Sequence, residues 1–369
     1  TAKMPQEIAQ KAIDYLAEHS SSHFAVTFYG GEPLANFPLV RWATEYTLEH
    51  YKDKHPTFNL TTNLTLVTDE IADFLARTPG FSVVVSLDGP EEVQNAARVY
   101  SANKPTFADA MRGLNTLSKA FIKHGKSLTI NSVLIPPYTY EKLERINSFF
   151  ESLDFLPPLT QCMITYPSPG TFPVENAVEL MSGNPTYEFG AALNPLLKWQ
   201  FEKAKQNGLS WEHTQNIYFN TMLKMMETID GRMVTDAPDD LYHCNGCCVP
   251  GSRKLYVKAN GDLLICERIG SSPIIGNIFT GIDKTLLSEK YDTEYVARSL
   301  PACKNCWAVN LCPICYANCY TEDGIDPAEK ASNCNGVRSQ LERCFSMFYE
   351  LLEENPSALD ALKETTRSS

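Results

Sequence analysis

The chain has 369 residues, 43% hydrophobic and 21% charged, which is the composition of an ordinary globular protein long enough for two or three domains. Its 32 basic and 44 acidic residues give a net charge of −12, which argues against nucleic acid as a partner. No apolar run reaches the roughly 20 residues that a transmembrane helix needs, and no signal-peptide pattern opens the chain. We therefore expect a cytoplasmic protein with no membrane partner.

The first half of the chain alternates predicted helices and strands. Apolar residues at helical spacing predict helices over residues 4–19, 37–52, 68–77, 106–124 and 139–153. Short apolar runs ended by turn residues predict strands over 24–28, 58–63, 82–87, 128–135 and 160–166. Such alternation is typical of βαβ units around a parallel sheet, so the predicted fold class is α/β.

Polar residues fall near the carboxyl ends of four predicted strands: Glu32, Asn63, Asp88 and Asn131. These residues are also common as helix caps and in turns. However, α/β barrels place their chemistry at this edge, and four polar residues on successive strands favour a site there.

The second half of the chain is less regular. Residues 167–183 are rich in Pro, Ser and Gly and predict a linker, and residues 186–229 are mostly helical in pattern. The Asn260–Gly261 pair predicts a hairpin within residues 254–266. An amphipathic helix is predicted over 335–353.

Cysteines are concentrated in one part of the chain, because eleven of the twelve lie between Cys244 and Cys344. Thiolates at spacings of a few residues suit iron–sulfur clusters or zinc. The sequence therefore predicts inorganic cofactors in the last third of the chain and redox chemistry for the protein. A zinc-stabilised binding module is the non-catalytic alternative.

The cysteine spacing resembles that of the SPASM domain of radical S-adenosylmethionine (SAM) enzymes. The pattern consists of Cys248, Gly261, Cys266, Cys303, Cys306, Cys312 and Cys334, in the order and spacing of that domain. The resemblance implies two auxiliary [4Fe–4S] clusters. Their implied ligands are Cys248, Cys266, Cys303, Cys306, Cys312, Cys315 and Cys334.

The cysteine pattern leaves two assignments open. The family commonly has three residues between the cysteine at position 312 and the next ligand, whereas here Cys315 follows after two and Cys319 after six. We favour Cys315 over Cys319. The eighth ligand is Cys244, Cys247 or Cys319, or one iron stays open for a substrate thiolate.

The first half of the chain resembles the radical SAM partial barrel. Gly30, Gly31 and Glu32 are similar to the motif that binds the methionine amino group in that superfamily. Ser86, Asp88 and Arg98 are similar to the segment that contacts the ribose and the methionine carboxylate. Asn63 and Asn131 match other positions at the same edge, so these eight residues are the predicted SAM site.

The resemblance implies a partial (β/α) barrel over residues 1–166, linker and bridging helices over 167–240, a SPASM domain over 241–350 and a C-terminal tail over 351–369. The family also carries a Cys-x3-Cys-x2-Cys loop whose [4Fe–4S] cluster binds SAM. No cysteine precedes Cys162 here. We expect that the first strand and this third cluster belong to a missing N-terminal part, and that the given chain is inactive if it is complete.

The stretch 307–316 together with Cys266, Glu267 and Arg268 resembles maturases that form thioethers in ribosomally made peptides. The implied reaction begins when a 5′-deoxyadenosyl radical abstracts hydrogen from a peptide carbon, to which a cysteine sulfur then bonds. The implied partners are a precursor peptide and a reductant such as ferredoxin or flavodoxin. A formylglycine-forming, sulfatase-maturing enzyme is the alternative within the family.

Glu267 is the candidate catalytic base. It occupies the position directly after Cys266, where sulfatase-maturing relatives carry a catalytic Asp. A carboxylate there can take a thiol proton. The alternative is a structural ion pair with Arg268 or another nearby cation.

Overall fold

The computed structural model describes residues 3–135, 140–165, 201–202, 204–206, 208–209, 216–232, 248–269 and 271–360. Contacts along the chain define two compact units. The cysteine-rich unit comprises Thr1–Phe24, Pro38–Pro56 and Thr228–Ser346, and the sheet unit comprises Ala25–Phe37, Thr57–Glu227 and Met347–Ser369. This division reflects contacts alone, and the functional boundaries stated above stay a prediction.

The sheet unit is built on five parallel strands, in spatial order β1 to β5. Parallel neighbours cannot be joined by a tight turn, so each pair needs a crossover. The strands are β1 (Ala25–Phe28), β2 (Thr57–Thr62), β3 (Phe81–Ser86), β4 (Thr129–Val133) and β5 (Gln161–Thr165). The predicted α/β class with a parallel sheet is confirmed.

Helices alternate with these strands along the chain. They are α1 (Gln6–His19), α2 (Phe37–His50), α3 (Asp69–Arg77), α4 (Glu91–Ala97), α5 (Phe107–Lys123) and α6 (Tyr140–Glu151). Five of the six lie where the sequence predicts them. The short helix α4 was not predicted, because it has only two turns and little apolar periodicity.

The two faces of the sheet differ in burial. On β2, Phe58, Leu60 and Thr62 are buried, whereas the alternate residues are half-buried or exposed. The buried face packs on helices, as shown by the edge-on contact of the Phe74 and Phe81 rings at 6.5 Å. The other face carries mainly short polar side chains, among them Thr27, Asn59, Thr61, Ser82, Thr129, Asn131 and Gln161.

Helix α5 packs closely against the loop after β2 and holds it in place. Leu64 is fully buried with a left-handed φ of 71°, and its carbonyl lies against Gly113 of α5. A Cβ atom on Gly113 would clash with that carbonyl oxygen and would lie 3.0 Å from the carbonyl carbon. Arg112 donates to the Thr65 and Val67 carbonyls of the same loop, each at 3.2 Å. Helix α5 therefore positions the segment that begins at Asn63.

The cysteine-rich unit contains short hairpins and helices. Its two-residue strands pair as β6 (Tyr256–Val257) with β7 (Leu263–Leu264), β8 (Gly276–Asn277) with β9 (Gly281–Ile282), and β10 (Tyr320–Thr321) with β11 (Gly324–Ile325). The later helices of the chain are α7 (Ile217–Asp230), α8 (Lys284–Ser288), α9 (Glu294–Cys303), α10 (Pro327–Ser332) and α11 (Cys334–Glu354). The hairpin predicted at Asn260–Gly261 is confirmed, with Gly261 at a φ of 88°.

Apolar residues from distant parts of the sequence form the core of the cysteine-rich unit. Ile8 of α1 is buried with Leu263, Tyr291, Tyr295 and other residues of the second half of the chain. The buried residues of α1, Ile8, Ala9, Ile13 and Ala17, form one stripe at helical spacing. The first predicted helix therefore packs with the cysteine-rich segment.

The predicted C-terminal tail is packed over part of its length. Residues 351–354 continue α11, and Ala358 and Leu359 beyond them are buried, so the predicted tail is packed as far as that point.

Among the residues that the structure describes, no helix is long and apolar enough to cross a membrane. The predicted linker 167–183 and both Cys244 and Cys247 lie outside the described residues.

We expect the substitution Gly113→Ala to lower the melting temperature, although alanine is the better helix former. The new methyl group would force α5 and the Leu64 loop apart, and overpacking of this kind costs about 1–3 kcal/mol. Gly336→Ala in α11 is the matched control, since its added methyl group meets open space. The melting temperatures are measured by circular dichroism. Equal values for the two variants would show that the added methyl group of Gly113→Ala causes no overpacking.

Candidate functional site

The strand register brings several predicted SAM residues to one edge of the sheet. Ser86 of β3 pairs with Asn131 of β4, and Thr62 of β2 pairs with Val85 one step before. Side chains in register point to the same face, so Ser86 and Asn131 share the polar face. Asn63 directly follows Thr62 at the same edge.

Glu32 reaches this edge from the turn after β1. Its Oε1 accepts hydrogen bonds from the Leu34 backbone N–H at 3.0 Å and the Thr62 hydroxyl at 2.9 Å, and its Oε2 accepts from the Asn63 N–H at 2.7 Å. An ionised carboxylate has about four acceptor sites. Glu32 is therefore fixed in place, with one site left for a further donor.

The turn before Glu32 depends on two glycines. Gly30 and Gly31 have φ angles of 107° and 37°, in the left-handed region that side chains disfavour. Both residues are exposed, as is the neighbouring Tyr29. The turn therefore offers bare backbone next to the Glu32 carboxylate, where a ligand can approach closely.

Asp88 is only 2% exposed, and its polar groups are all engaged. Oδ2 accepts from Arg98 Nε at 2.7 Å and Oδ1 from the Val133 N–H at 2.9 Å. The Asp88 N–H donates to Gln94 Oε1, and the Asp88 carbonyl accepts from the Ser132 hydroxyl, both at 2.9 Å. Asp88 therefore bonds to other residues of the chain rather than to a ligand, and it orients the Arg98 guanidinium.

A cavity of about 240 Å³ lies beside this ion pair. Two predicted SAM residues, Asn63 and Arg98, contribute to its wall, and the side chain of Arg98 keeps 27% of its surface exposed. The other lining residues are Thr65, Gln94, Val99, Tyr100 and Thr106. An amide and a guanidinium thus border the same space, which suits a small polar ligand with a carboxylate.

Asn131 provides a direct indication of a missing partner. Its Oδ1 is buried and accepts no hydrogen bond within the part of the chain that the structure describes. An unsatisfied buried acceptor costs about 1–3 kcal/mol, so such an atom calls for an explanation. A bound ligand that donates to Oδ1 would remove this cost, and the residues at this edge therefore fit the SAM that the resemblance implies.

Four of the predicted cluster ligands lie in one part of the cysteine-rich unit. Cys303 ends α9, the Cys306 N–H donates to the Cys303 carbonyl at 3.0 Å, and Cys334 begins α11. Burial raises the pKa of the Cys312 thiol, and the neighbouring thiols of Cys334 and Cys303 raise it further. All four are half-buried free thiols, which suits metal binding.

Cys248 and Cys266 flank the β6–β7 hairpin in the sequence. Lys254 interacts with both thiols, and its Nζ donates to Glu267 Oε1 at 3.0 Å. Oε2 of Glu267 accepts from the Cys266 thiol at 3.2 Å. The cation paired with Glu267 is therefore Lys254 and not the adjacent Arg268.

The charge on Glu267 follows from these contacts. Burial works to raise the pKa of Glu267, but the hydrogen bond from Lys254 and further hydrogen bonds outweigh it, so the pKa is lowered. Burial raises the pKa of the Cys266 thiol, and the Glu267 carboxylate raises it further. Glu267 is thus a carboxylate held between an ammonium and a thiol.

The two alternatives Cys315 and Cys319 differ in accessibility. Cys319 is 1% exposed within the apolar core, and burial raises its pKa to about 12. Cys315 is half-buried at the start of a short helical turn, where its thiol contacts Asn318 Oδ1 at 3.4 Å. The structure therefore leaves the Cys315 thiol more accessible than the Cys319 thiol.

Cys162 and Cys344 are buried, as expected for core thiols, and burial raises the pKa of Cys162 to about 12. In the described ranges, no three His, Cys, Asp or Glu side chains are grouped to hold a single metal ion. Thiolates on a [4Fe–4S] cluster bind different iron atoms and so lie farther apart than ligands of one ion. The donor set of Cys303, Cys306, Cys312 and Cys334 fits such a cluster by its chemistry and its mutual thiol interactions.

Some residues of the site were not predicted from the sequence. Gln94 and Ser132 fix the backbone of Asp88. Lys254 was missed because it lies 13 residues from Glu267 in the sequence. The helix-strand alternation gave no signal for these contacts, since each joins residues that only the folded chain brings together.

Comparisons with known proteins agree with this fold. Residues 2–150 match the sequence profile of the radical SAM superfamily. The Methanocaldococcus jannaschii protein MJ0907 is 29% identical over 278 residues, which is 74% of this chain and 79% of that protein. The serine-type anaerobic sulfatase-maturating enzyme of Bacteroides thetaiotaomicron is 31% identical over 131 residues, or 35% of this chain and 31% of that enzyme.

A solved structure extends the likeness over most of the chain. Native anSMEcpe with bound AdoMet and Cp18Cys peptide matches with a TM-score of 0.65 at 20% identity, over 98% of this chain and 92% of that chain. At this level of identity the match shows a shared fold. The described β1–β5 sheet is therefore part of a known architecture.

We expect Asp88→Asn to destabilise the protein. The amide cannot neutralise Arg98, and a buried polar group left unsatisfied costs about 1–3 kcal/mol. The matched control is Asp109→Asn, whose ion pair with Arg112 at 3.3 Å is exposed and screened by solvent. Thermal melting should show a clear drop for Asp88→Asn only, and equal drops would contradict the structural role given to Asp88.

Proposed function

We propose that the protein is a radical SAM maturase that modifies a cysteine-containing peptide, since residues 2–150 match the radical SAM superfamily. Proteins of this superfamily bind SAM and a [4Fe–4S] cluster, which together supply a 5′-deoxyadenosyl radical. The observation that carries the proposal is the convergence of Glu32, Asn63, Arg98 and Asn131 at one edge of the sheet.

In this proposal each residue of the edge binds a different part of SAM. Glu32, with one acceptor site left, would bind the methionine ammonium, and the Arg98 guanidinium would bind the methionine carboxylate. Asn131 would accept a hydrogen bond at its buried Oδ1. Ser86 and Asn63 would contact the rest of the cofactor, and Gly30 and Gly31 would let it approach the backbone.

The polar face of the sheet supports a peptide as the substrate. Side chains such as Asn59, Thr61 and Gln161 offer hydrogen-bond donors and acceptors on the face that the sheet-unit helices leave less buried. An extended peptide has unpaired N–H and C=O groups that such side chains can satisfy. The peptide in the matched anSMEcpe structure is consistent with this substrate class.

The proposed auxiliary clusters would take part after hydrogen abstraction. They would offer a site for a substrate thiolate and an acceptor for one electron. The proposed ligands are Cys248, Cys266, Cys303, Cys306, Cys312, Cys315 and Cys334, and the eighth is Cys244, Cys247 or Cys319, or is absent. Ferredoxin or flavodoxin is the proposed reductant.

Glu267 is the proposed base in the formation of a thioether. The substrate thiol would give its proton to Glu267, its sulfur would bond to the peptide carbon that has lost a hydrogen atom, and the surplus electron would pass to an auxiliary cluster. Metal binding requires the deprotonated thiolate of Cys266. This would release Oε2 of Glu267 from its present hydrogen bond with that thiol, while Lys254 holds Oε1.

A second reaction fits the same site. The named relative from Bacteroides thetaiotaomicron is a sulfatase-maturating enzyme, so formation of formylglycine from a Ser or Cys of a protein is the alternative. Both reactions begin with hydrogen abstraction from a residue of a peptide. They differ in the fate of the carbon and of the sulfur.

We expect Glu32→Gln to weaken SAM binding about tenfold or more. A charge-assisted hydrogen bond contributes about 1.5–3 kcal/mol, and 1.4 kcal/mol corresponds to about tenfold in Kd. Glu92→Gln is the control, since Glu92 pairs with Arg145 at 3.2 Å on the surface of the same unit. Anaerobic calorimetry with SAM would measure both, and unchanged affinity in Glu32→Gln would remove this carboxylate from the site.

The reaction itself can be identified by its products. The protein, together with an N-terminal segment that supplies the Cys-x3-Cys-x2-Cys loop, is loaded anaerobically with iron and sulfide. It is then given SAM, dithionite and synthetic peptides that carry one cysteine and deuterated neighbouring carbons. Thioether formation predicts deuterium in 5′-deoxyadenosine and a peptide that keeps its sulfur but resists alkylation. An aldehyde that reacts with a hydrazide probe identifies formylglycine instead. Deuterium-free 5′-deoxyadenosine with an unchanged peptide would oppose the peptide-maturase proposal.

A further inference from the structure

A buried lysine lies among the cysteines of the cysteine-rich unit. Lys330 in α10 is 5% exposed, which is rare for a residue with an ionisable amine. The sequence gave no reason to single it out, because it stands among polar residues in a short helix. Burial of an ammonium is costly unless polar groups compensate for its lost hydration, so its position calls for an explanation.

Specific contacts on α9 compensate for this burial. The Lys330 ammonium donates to the Tyr295 hydroxyl at 2.8 Å and to the Ser299 hydroxyl at 2.7 Å. It also lies 4.1 Å from the centre of the Tyr295 ring, a distance that favours a cation–π interaction. The neighbouring rings of Tyr316 and Tyr320 pack on Tyr295 at 4.8 and 6.1 Å. The site is thus built to hold a cation away from water.

Lys330 connects two segments that carry proposed cluster ligands. Its partner Ser299 lies one helical turn before Cys303, the last residue of α9. On the other side, the thiol of Cys334 donates to the Lys330 carbonyl at 3.7 Å. The side chain of Lys330 therefore reaches the helix that ends at Cys303 from the helix that leads to Cys334.

The Lys330 charge also acts on two thiols of this unit, those of Cys312 and Cys319. Burial raises the pKa of Cys312, with further contributions from Cys334 and Cys303, whereas Lys330 lowers it. Burial likewise raises the pKa of Cys319, and Lys330 is the strongest charge acting against this. A positive charge that acts on these thiols also acts on any anionic centre that they bind.

We propose that Lys330 sets the reduction potential of an iron–sulfur cluster held by Cys303, Cys306, Cys312 and Cys334, and this rests on the proposed function. Reduction of a [4Fe–4S] cluster adds one electron and therefore one negative charge. A nearby buried cation stabilises the reduced form more than the oxidised form, since little water screens the interaction. The net charge around a cluster is a recognised determinant of its potential. Lys330 thus makes this cluster easier to reduce than it would be without the charge.

The test compares Lys330→Met with Lys330→Arg in the anaerobically reconstituted full chain. Dithionite supplies one electron per cluster, and the midpoint potential is read from the paramagnetic signal of the reduced cluster. We expect Lys330→Met to lower the equilibrium constant for reduction of the cluster about tenfold. For a one-electron couple this lowers the midpoint potential by about 59 mV. Lys330→Arg keeps the charge and should stay near the native potential.

A second lysine serves as a control for general charge effects. Lys290 lies in the same unit but is partly exposed, and it pairs with Glu294 at 3.0 Å. Lys290→Met should therefore leave the potential unchanged. An equal shift in Lys290→Met and Lys330→Met would overturn the proposal, as would a native potential in an iron-replete Lys330→Met protein.

Iron analysis keeps the proposal distinct from the function on which it rests. If native protein binds iron and Cys306→Ala lowers its iron content, the cluster exists and the potentials are meaningful. If native protein binds zinc and no sulfide, the auxiliary clusters and the Lys330 proposal both fail, whatever the variants do. If Lys330→Met cannot retain iron, an iron-replete Lys330→Arg protein supports the need for charge. Loss of iron from both variants would mean that only the shape of Lys330 matters.

Discussion

The buried carboxylate of Asp88 is the constraint on which the sheet edge depends. A charge that is 2% exposed must find partners within the protein, and Asp88 finds them in two segments, α4 with its last cap residue and β4. Arg98 supplies the opposite charge, Val133 supplies a backbone N–H of β4, and Gln94 and Ser132 bind the Asp88 backbone. These bonds tie β3, α4 and β4 together, so the edge that carries Asn131 and Arg98 is fixed before any ligand binds.

The two compact units each hold a buried charge, but the physical solutions differ. In the sheet unit, Asp88 is neutralised by an ion pair with Arg98. In the cysteine-rich unit, Lys330 donates to the hydroxyls of Tyr295 and Ser299 and lies over the Tyr295 ring. The first arrangement orients a guanidinium toward a cavity, and the second keeps a cation beside thiols. In both units a charge is buried at a cost in stability, and such buried charges are common at functional sites.

Sequence reasoning succeeded where the signal is local. Short apolar runs ended by turn residues revealed the five strands, and the turn at Asn260–Gly261 revealed a hairpin. It failed for α4, whose seven residues are too few for a clear period. It also missed the close contact of Gly113 with Leu64, because a glycine inside a helical pattern gives no indication of the backbone that approaches it.

The sequence by itself determined the α/β class, the polar residues at the strand ends and the cysteine spacing, because each of these is a pattern along the chain. The tertiary structure alone decided which groups meet. It joined Glu267 to Lys254 rather than to the adjacent Arg268, left Oδ1 of Asn131 buried without a bond among the described residues, and buried Lys330 against α9. The reason is physical: hydrogen bonds and charge pairs form across distances in space that sequence separation does not fix.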